Sequence, residues 1–251
     1  MPVELTISFP VVAAFLAVLA RVSGMVIFVP IPGFPGSPEA ARIVLAVGLT
    51  VILLPLRPAV PVTDGVGWTL LTVGSEFGLG MLTGVCLAIL LEGVQLAAQF
   101  VGLQAGYSFA STIDPSTQAD SAVLQIVMQL LAGFLFFALG IDREAIRLLA
   151  LPPAAAVPAL SAADAVIRLG SHMFVFGLRL AMPVLAMLIL MDLSFAILNK
   201  VHQQFQVMSL SFSAKMLVGL GLSAATLEIF PQLTQAAAGR TFETLLRLLG
   251  R

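Results

Sequence analysis

Arg21, Glu76, Arg179, Asp192 and Lys215 are ionisable side chains that stand inside apolar runs of this sequence. A charge at the centre of a bilayer costs ~2.5–3.5 kcal/mol on insertion scales, so such residues normally face protein or water. The chemistry they offer is electrostatic: ion pairing, within the chain or between subunits, or the wetting of a conduction path. Arg21 and Lys215 are long enough to snorkel from near a span end, which is the plainer alternative for those two. Glu76 and Asp192 are too short for that, which leaves buried pairing or a water-facing position. Arg179 and Asp192 cannot satisfy one another within one helix. At ~100° per residue their spacing puts them on nearly opposite faces, ~20 Å apart.

Catalytic chemistry finds no such foothold. The histidines, His172 and His202, lack the HExxH spacing of a zinc site, and there is no GxSxG elbow, Walker A loop or GxGxxG fingerprint. Asp114 and Asp120 sit in a turn, where a solvated helix-flanking role is the simplest one. Cys86 is the only cysteine and lies in an apolar run, so it reads as a small packing residue. Neither an internal disulfide nor a thiol metal site can be built from it. An enzyme is not indicated, and no cofactor or metal is expected.

A second polar pattern follows the third apolar run. Glu92, Gln95, Gln99, Gly102 and Gly106 recur every three or four residues and place a polar and small stripe on one helical face. Leu96, Phe100, Val101 and Leu103 fill the remainder. That is an amphipathic helix, either interfacial or packed in an assembly with its stripe towards water. It leads into Gly106-Tyr107-Ser108-Phe109-Ala110-Ser111-Thr112-Ile113, a stretch of weak helix propensity. Upstream, Glu76, Gly80, Thr83 and Gly84 share a face, and Gly80-x-x-x-Gly84 is a close-packing pattern. Gly74-x-x-x-Gly78 and Gly102-x-x-x-Gly106 repeat the spacing, which predicts tight helix contacts.

The elements that must position these residues are set by composition. Of 251 residues 59% are hydrophobic and 10% charged, and mean hydropathy is +1.07. A soluble domain carries about 25% charged residues. Too little charge is present here to coat one, so a bilayer is the expected solvent for much of the surface. The net charge of −1 points to no nucleic-acid partner. Spanning ~30 Å of hydrocarbon takes about 20 helical residues. Six stretches meet or approach that: 9–29, 40–58, 68–91, 122–141, 172–198 and 207–230. Prolines and glycines of 30–38 separate the first two, and Pro55, Pro58 and Pro61 end the second. Asp114-Pro115 precedes the fourth, Pro183 breaks the fifth, and Pro152, Pro153 and Pro158 punctuate a polar-to-neutral region over 142–171. Glu4 and Arg21 speak against a secretory signal, so Phe9 opens a mature span. Arg240, Arg247 and Arg251 favour a cytoplasmic C-terminal end. The fold class expected is all-α: a polytopic helical membrane protein of about six long apolar helices plus an amphipathic one, in a single domain over 1–251.

Taken in order, several local patterns resemble the FliR family of flagellar type III export-gate proteins and its injectisome SctT-type homologues. Leu19-Ala20-Arg21-Val22-Ser23-Gly24 with Pro30 is similar to the family's first span. Gly102-Leu103-Gln104-Ala105-Gly106-Tyr107-Ser108-Phe109-Ala110 with Asp114-Pro115 resembles its most distinctive stretch. Asp192-Leu193, Leu198-Asn199-Lys200, Gln204, Phe212, Lys215 and Gly219-Leu220 resemble its C-terminal pattern. Gln203 stands where the family usually has proline, and Ser211 and Ser213 replace a common glycine and proline, which relaxes the turn before the last apolar run.

The resemblance implies helical hairpins packed in a hetero-oligomeric gate with FliP-like and FliQ-like subunits, beside FlhB-like and FlhA-like proteins, in the bacterial inner membrane at the flagellar basal body. Unfolded secreted proteins would be its substrates, lipid its surroundings, and Arg21, Glu76, Glu92, Gln95, Gln99, Arg179, Asp192 and Lys215 its intra-assembly polar groups. Residues 106–113 correspond to a loop that helps close the resting pore. Locally, glycine supplies backbone freedom, Tyr107 and Phe109 bulk, and Ser108, Ser111 and Thr112 a wettable lining, and an aromatic constriction can shut a pore by bulk and dewetting. Interface packing of Tyr107 and Phe109 is the plainer alternative. A self-contained secondary transporter is the competing function; it would call for paired broken helices and an inverted repeat, and Pro183 has no matching half.

Overall fold

Apolar stretches of this length bury their backbone polar groups by coiling, and the computed structural model of the chain is built accordingly. It describes residues 9–29, 38–56, 66–107, 123–151, 157–201 and 207–250, and among these it contains helices and turns. In order they are α1 (Phe9–Phe28), α2 (Glu39–Leu53, continued by a 3₁₀ turn over Leu54–Leu56), α3 (Val66–Ala105), α4 (Val123–Ala138), α5 (Ile141–Ala150), α6 (Ala159–Val201), α7 (Val207–Ala225) and α8 (Phe230–Leu248). Four described helices are long and apolar enough to cross a bilayer, or up to six if two bent pairs each count as one span. The expected polytopic helical class is the one observed.

Three boundaries differ from the sequence reading. The amphipathic segment is no separate element: α3 runs unbroken from the third apolar run to Ala105. Glu92 and Gln95 change what the helix faces without weakening its backbone. Pro183 lies inside a continuous α6; the hydrogen bond it deletes is local, and flanking turns hold the helix. The punctuated region contains α5, which begins after Gly140 in the left-handed region (φ 70°). Asp142 and Glu144 occupy its first turn and Arg147 its last, the arrangement that complements a helix dipole.

The chain forms two compact units. The first holds 1–89, 140–169 and 239–251. In it α1 packs on α2, which buries Ala46, Thr50 and Leu53 at helical spacing, and α1 meets α3 backbone to backbone. A Cβ at Gly24 would lie 2.9 Å from the Met81 nitrogen, one at Gly84 2.6 Å from the Met25 carbonyl, and one at Gly80 inside the Arg21 carbonyl. The unit's core gathers Cys86, Leu148, Leu169, Leu245 and Leu249 from α3, α5, α6 and the end of α8.

The second unit holds 90–139 and 170–238. There α3 and α6 lie side by side. Gly93 seats against Met173 and Phe176, and Gly177 against the Gly93 carbonyl and Leu96. Residue numbers rise together along the pair, so these segments run parallel. α7 returns antiparallel, with Gly219 against Ala105 and Leu188.

Candidate functional site

Four of the polar residues singled out in the sequence pair into two nodes, and the others join neither. In the first unit Arg21 Nε lies 2.6 Å from Glu76 Oε2, with the side chains 3% and 9% exposed. Arg21 Nη1 also donates to the carbonyls of Leu151 (2.6 Å) and Leu149 (3.4 Å). Those carbonyls close α5, whose last turn lacks intrahelical donors. The guanidinium therefore neutralises a carboxylate of α3 and caps the negative end of α5 from its place on α1. Gly80 and Gly24 make this possible by letting the α1 and α3 backbones touch.

In the second unit Asp192 of α6 is held from both sides. Lys215 Nζ of α7 lies 2.8 Å from Oδ1 and Gln104 Nε2 of α3 donates to Oδ2 at 2.7 Å. One carboxylate thus ties three helices. One turn along, Tyr107 Oη donates to the Met216 carbonyl at 3.0 Å. Between these contacts α3 ends in a Schellman motif: Tyr107 N–H bonds the Gly102 carbonyl and Gly106 N–H that of Leu103. Gly106 supplies the positive φ, 87°, that the motif requires. Burial raises the Tyr107 phenol above its ordinary range. The root of the 106–113 segment is therefore fastened through Gly106 and Tyr107. Ser108, Phe109, Ala110, Ser111, Thr112 and Ile113 lie outside the described residues.

The remaining sequence-predicted residues are not brought into a cluster. Glu92 and Gln99 are exposed on α3, with Gln95 half-buried and donating weakly to Glu92 at 3.5 Å. Arg179 is exposed on α6 and has no partner among the described residues. Of the three Gly-x-x-x-Gly patterns only Gly80 and Gly84 make a close contact. A Cβ at Gly74, Gly78 or Gly102 would meet nothing within 4 Å, and Gly106 ends a helix rather than packing one. Sequence reasoning missed Gln104 as the second ligand of Asp192, and the α5 carbonyls as acceptors for Arg21. The latter are 128 and 130 residues away, and no local pattern announces a bond to a backbone oxygen. Among the described residues no group of three or more His, Cys, Asp or Glu could hold a metal ion.

Comparison with known proteins places these nodes in a family. The chain is 26% identical to the flagellar biosynthetic protein FliR of Escherichia coli (strain K12) over 236 residues, 92% of this chain and 90% of that one. It is 25% identical to FliR of Bacillus subtilis (strain 168) over 248 residues, 94% of each chain. To FliR of Caulobacter vibrioides it is 26% identical over 217 residues, 84% of this chain and 86% of the other. The FliR resemblance read from the sequence is borne out, and the transporter alternative gains no support. Both ion-pair nodes and the α3 terminus fall within residues 12–241, which match the family of bacterial export proteins, family 1, and the chain belongs to that family.

Proposed function

We propose that this chain is a subunit of the flagellar type III protein export gate, in the bacterial inner membrane at the basal body, and that it helps form and close the channel for unfolded axial proteins. The observation that carries this reading is the family match over residues 12–241 together with FliR relatives covered almost end to end. Residues 1–251 act as one gate domain with no catalytic step. Its partners are FliP-like and FliQ-like subunits, with FlhB-like and FlhA-like proteins alongside.

Within that gate each polar group has a different task. The Arg21–Glu76 and Asp192–Lys215 pairs hold helices in register where lipid could not satisfy them. Glu92, Gln95 and Gln99 present a wettable stripe. Gly106 to Ile113 narrow the path, with Tyr107 anchoring the near end of the segment on α7. The test has two parts. Co-purification with its genomic neighbours in mild detergent, followed by native mass spectrometry, is expected to give a hetero-complex with small helical membrane subunits; a monomer or homodimer would sink the gate reading. Deleting 106–113 from the assembled gate is expected to make vesicles leak small solutes, and unchanged permeability would overturn the closing role.

A further inference from the structure

Arg21, Glu76, Arg179, Asp192 and Lys215 do not share one fate. Arg21 and Glu76 neutralise each other, as do Lys215 and Asp192. Arg179 is the exception, exposed on α6 without an ion pair or hydrogen bond to any described residue. The nearest charged residues of its own helix are Arg168 and Asp192, ~16 Å and ~20 Å along the axis at 1.5 Å per residue. His172 stands two turns before Arg179 on the same face and is also exposed. Val175 and Met182 complete the stripe, 43% and 50% exposed. Directly beneath, Pro183 has no N–H to return to the Arg179 carbonyl, so an acceptor in the backbone accompanies the donors of the side chain. The face is thus apolar, carries one fixed positive charge, and needs an anion that lipid tails do not supply.

A guanidinium presents its donors as a planar fork that matches a carboxylate with two parallel bonds. An Asp or Glu on a neighbouring apolar helix would have the complementary difficulty, and pairing relieves both. We propose that the His172–Val175–Arg179–Met182 face of α6 docks a helix of another membrane subunit that bears a carboxylate level with Arg179. This rests on the export-gate reading, which supplies such neighbours.

The test uses the full chain co-expressed with those neighbours and read by native mass spectrometry, with melting of each purified variant as a check on folding. Arg179→Met is expected to lower the yield of intact hetero-complex at least about tenfold, since truncating one partner of a desolvated charge pair acts on dissociation. Arg179→Lys should retain part of it. Arg179→Glu should abolish it and recover when one acidic residue of the neighbour is changed to Arg. A second measurement leaves Arg179 in place: Met182→Cys is expected to form a disulfide with a cysteine placed beside that acid. Cys86, at 0% exposure, adds no background.

Wild-type yield from Arg179→Met, or no cross-link from Met182→Cys in an assembled complex, overturns the proposal. So does an unchanged hetero-complex that loses a bound anionic phospholipid, which would assign the face to a headgroup phosphate. A homo-oligomer abolished by Glu92→Gln would assign it to a second copy. If the wild-type chain emerges alone, the gate reading itself fails; if it assembles and the variants assemble equally well, only this inference does.

Discussion

Arg21 carries a full charge at 3% exposure, and three acceptors from two other helices keep it there. Removing one partner of such a pair is far worse than removing both, because the survivor is left charged and buried. Glu76→Gln is expected to destabilise the folded chain by about 3–5 kcal/mol in denaturant titrations of detergent-solubilised protein. The double change Arg21→Met with Glu76→Leu should recover most of that loss. It should not recover all, since the Leu149 and Leu151 carbonyls lose their donor, at about 1–3 kcal/mol for a buried acceptor left unmade. Equal stability of the single and double variants would remove the ion pair from the account. Tyr107 offers a cleaner reading, because it is the only tyrosine in the chain and lies just beyond the apolar stretch Thr69–Ala105. Burial raises its phenol, and the neutral form is the one that donates to Met216. Its contribution to stability is therefore intact below the unfolded value, about 10, and is lost as pH climbs through the higher folded value. An ultraviolet titration should place the phenolate midpoint above 10, and Tyr107→Phe should abolish that absorbance change and flatten stability against pH in the same window.

At the scale of elements, glycines that look alike in the sequence separate by what they touch. Gly80→Ala would drive a methyl into the Arg21 carbonyl; overpacking of this kind costs about 1–3 kcal/mol, and here backbone must move to relieve it. Gly78→Ala meets open space and should be neutral or stabilising by up to about 1 kcal/mol, the helix propensity gain of alanine. Gly106→Ala pays for a left-handed backbone, about 1–2 kcal/mol, and should fray the end of α3. Thermal melts of the three variants should rank Gly80→Ala lowest and Gly78→Ala highest; any other order at the extremes would contradict the packing described. The same contrast explains what the sequence could and could not disclose. Spans were legible because hydropathy over 20 residues is a sum, robust to single residues. The continuity of α3 past Glu92 and of α6 past Pro183 was not, because one polar or imino residue marks a boundary only when no packing opposes it. α5 hid behind the prolines that follow it, although Ile141, Ala145 and Leu148 hold helical spacing and are buried. Asp192 and Lys215 were recognisable as charges needing partners. That they partner each other depends on how α7 folds back on α6, which no local pattern encodes.

At the scale of the whole molecule the question is which surfaces meet water. α2 buries only 17% of its apolar window and the most apolar part of α6 33%, against 50% for α1 and α3. Val44 and Ile189, 71% and 57% exposed, therefore need lipid or a partner subunit over them. α8 is different in kind. Its buried stripe, Phe230, Thr234, Ala238, Thr241 and Leu245, leaves Gln232, Gln235, Arg240, Glu243 and Arg247 outward. Three charges on one exposed face would be costly in hydrocarbon, so this helix is expected at a water-facing surface even though it follows an apolar run. Single cysteines can read the division, because Cys86 is fully buried. In intact inverted vesicles, which expose the cytoplasmic side, a membrane-impermeant maleimide is expected to label Gln235→Cys and Arg247→Cys and to spare Val44→Cys and Ile189→Cys. Labelling of the α8 pair only in right-side-out spheroplasts would keep the helix in water but reverse the cytoplasmic end expected from Arg240 and Arg247. Protection of that pair on both sides would place α8 in the bilayer or beneath another subunit, and its polar face would then require partners of its own.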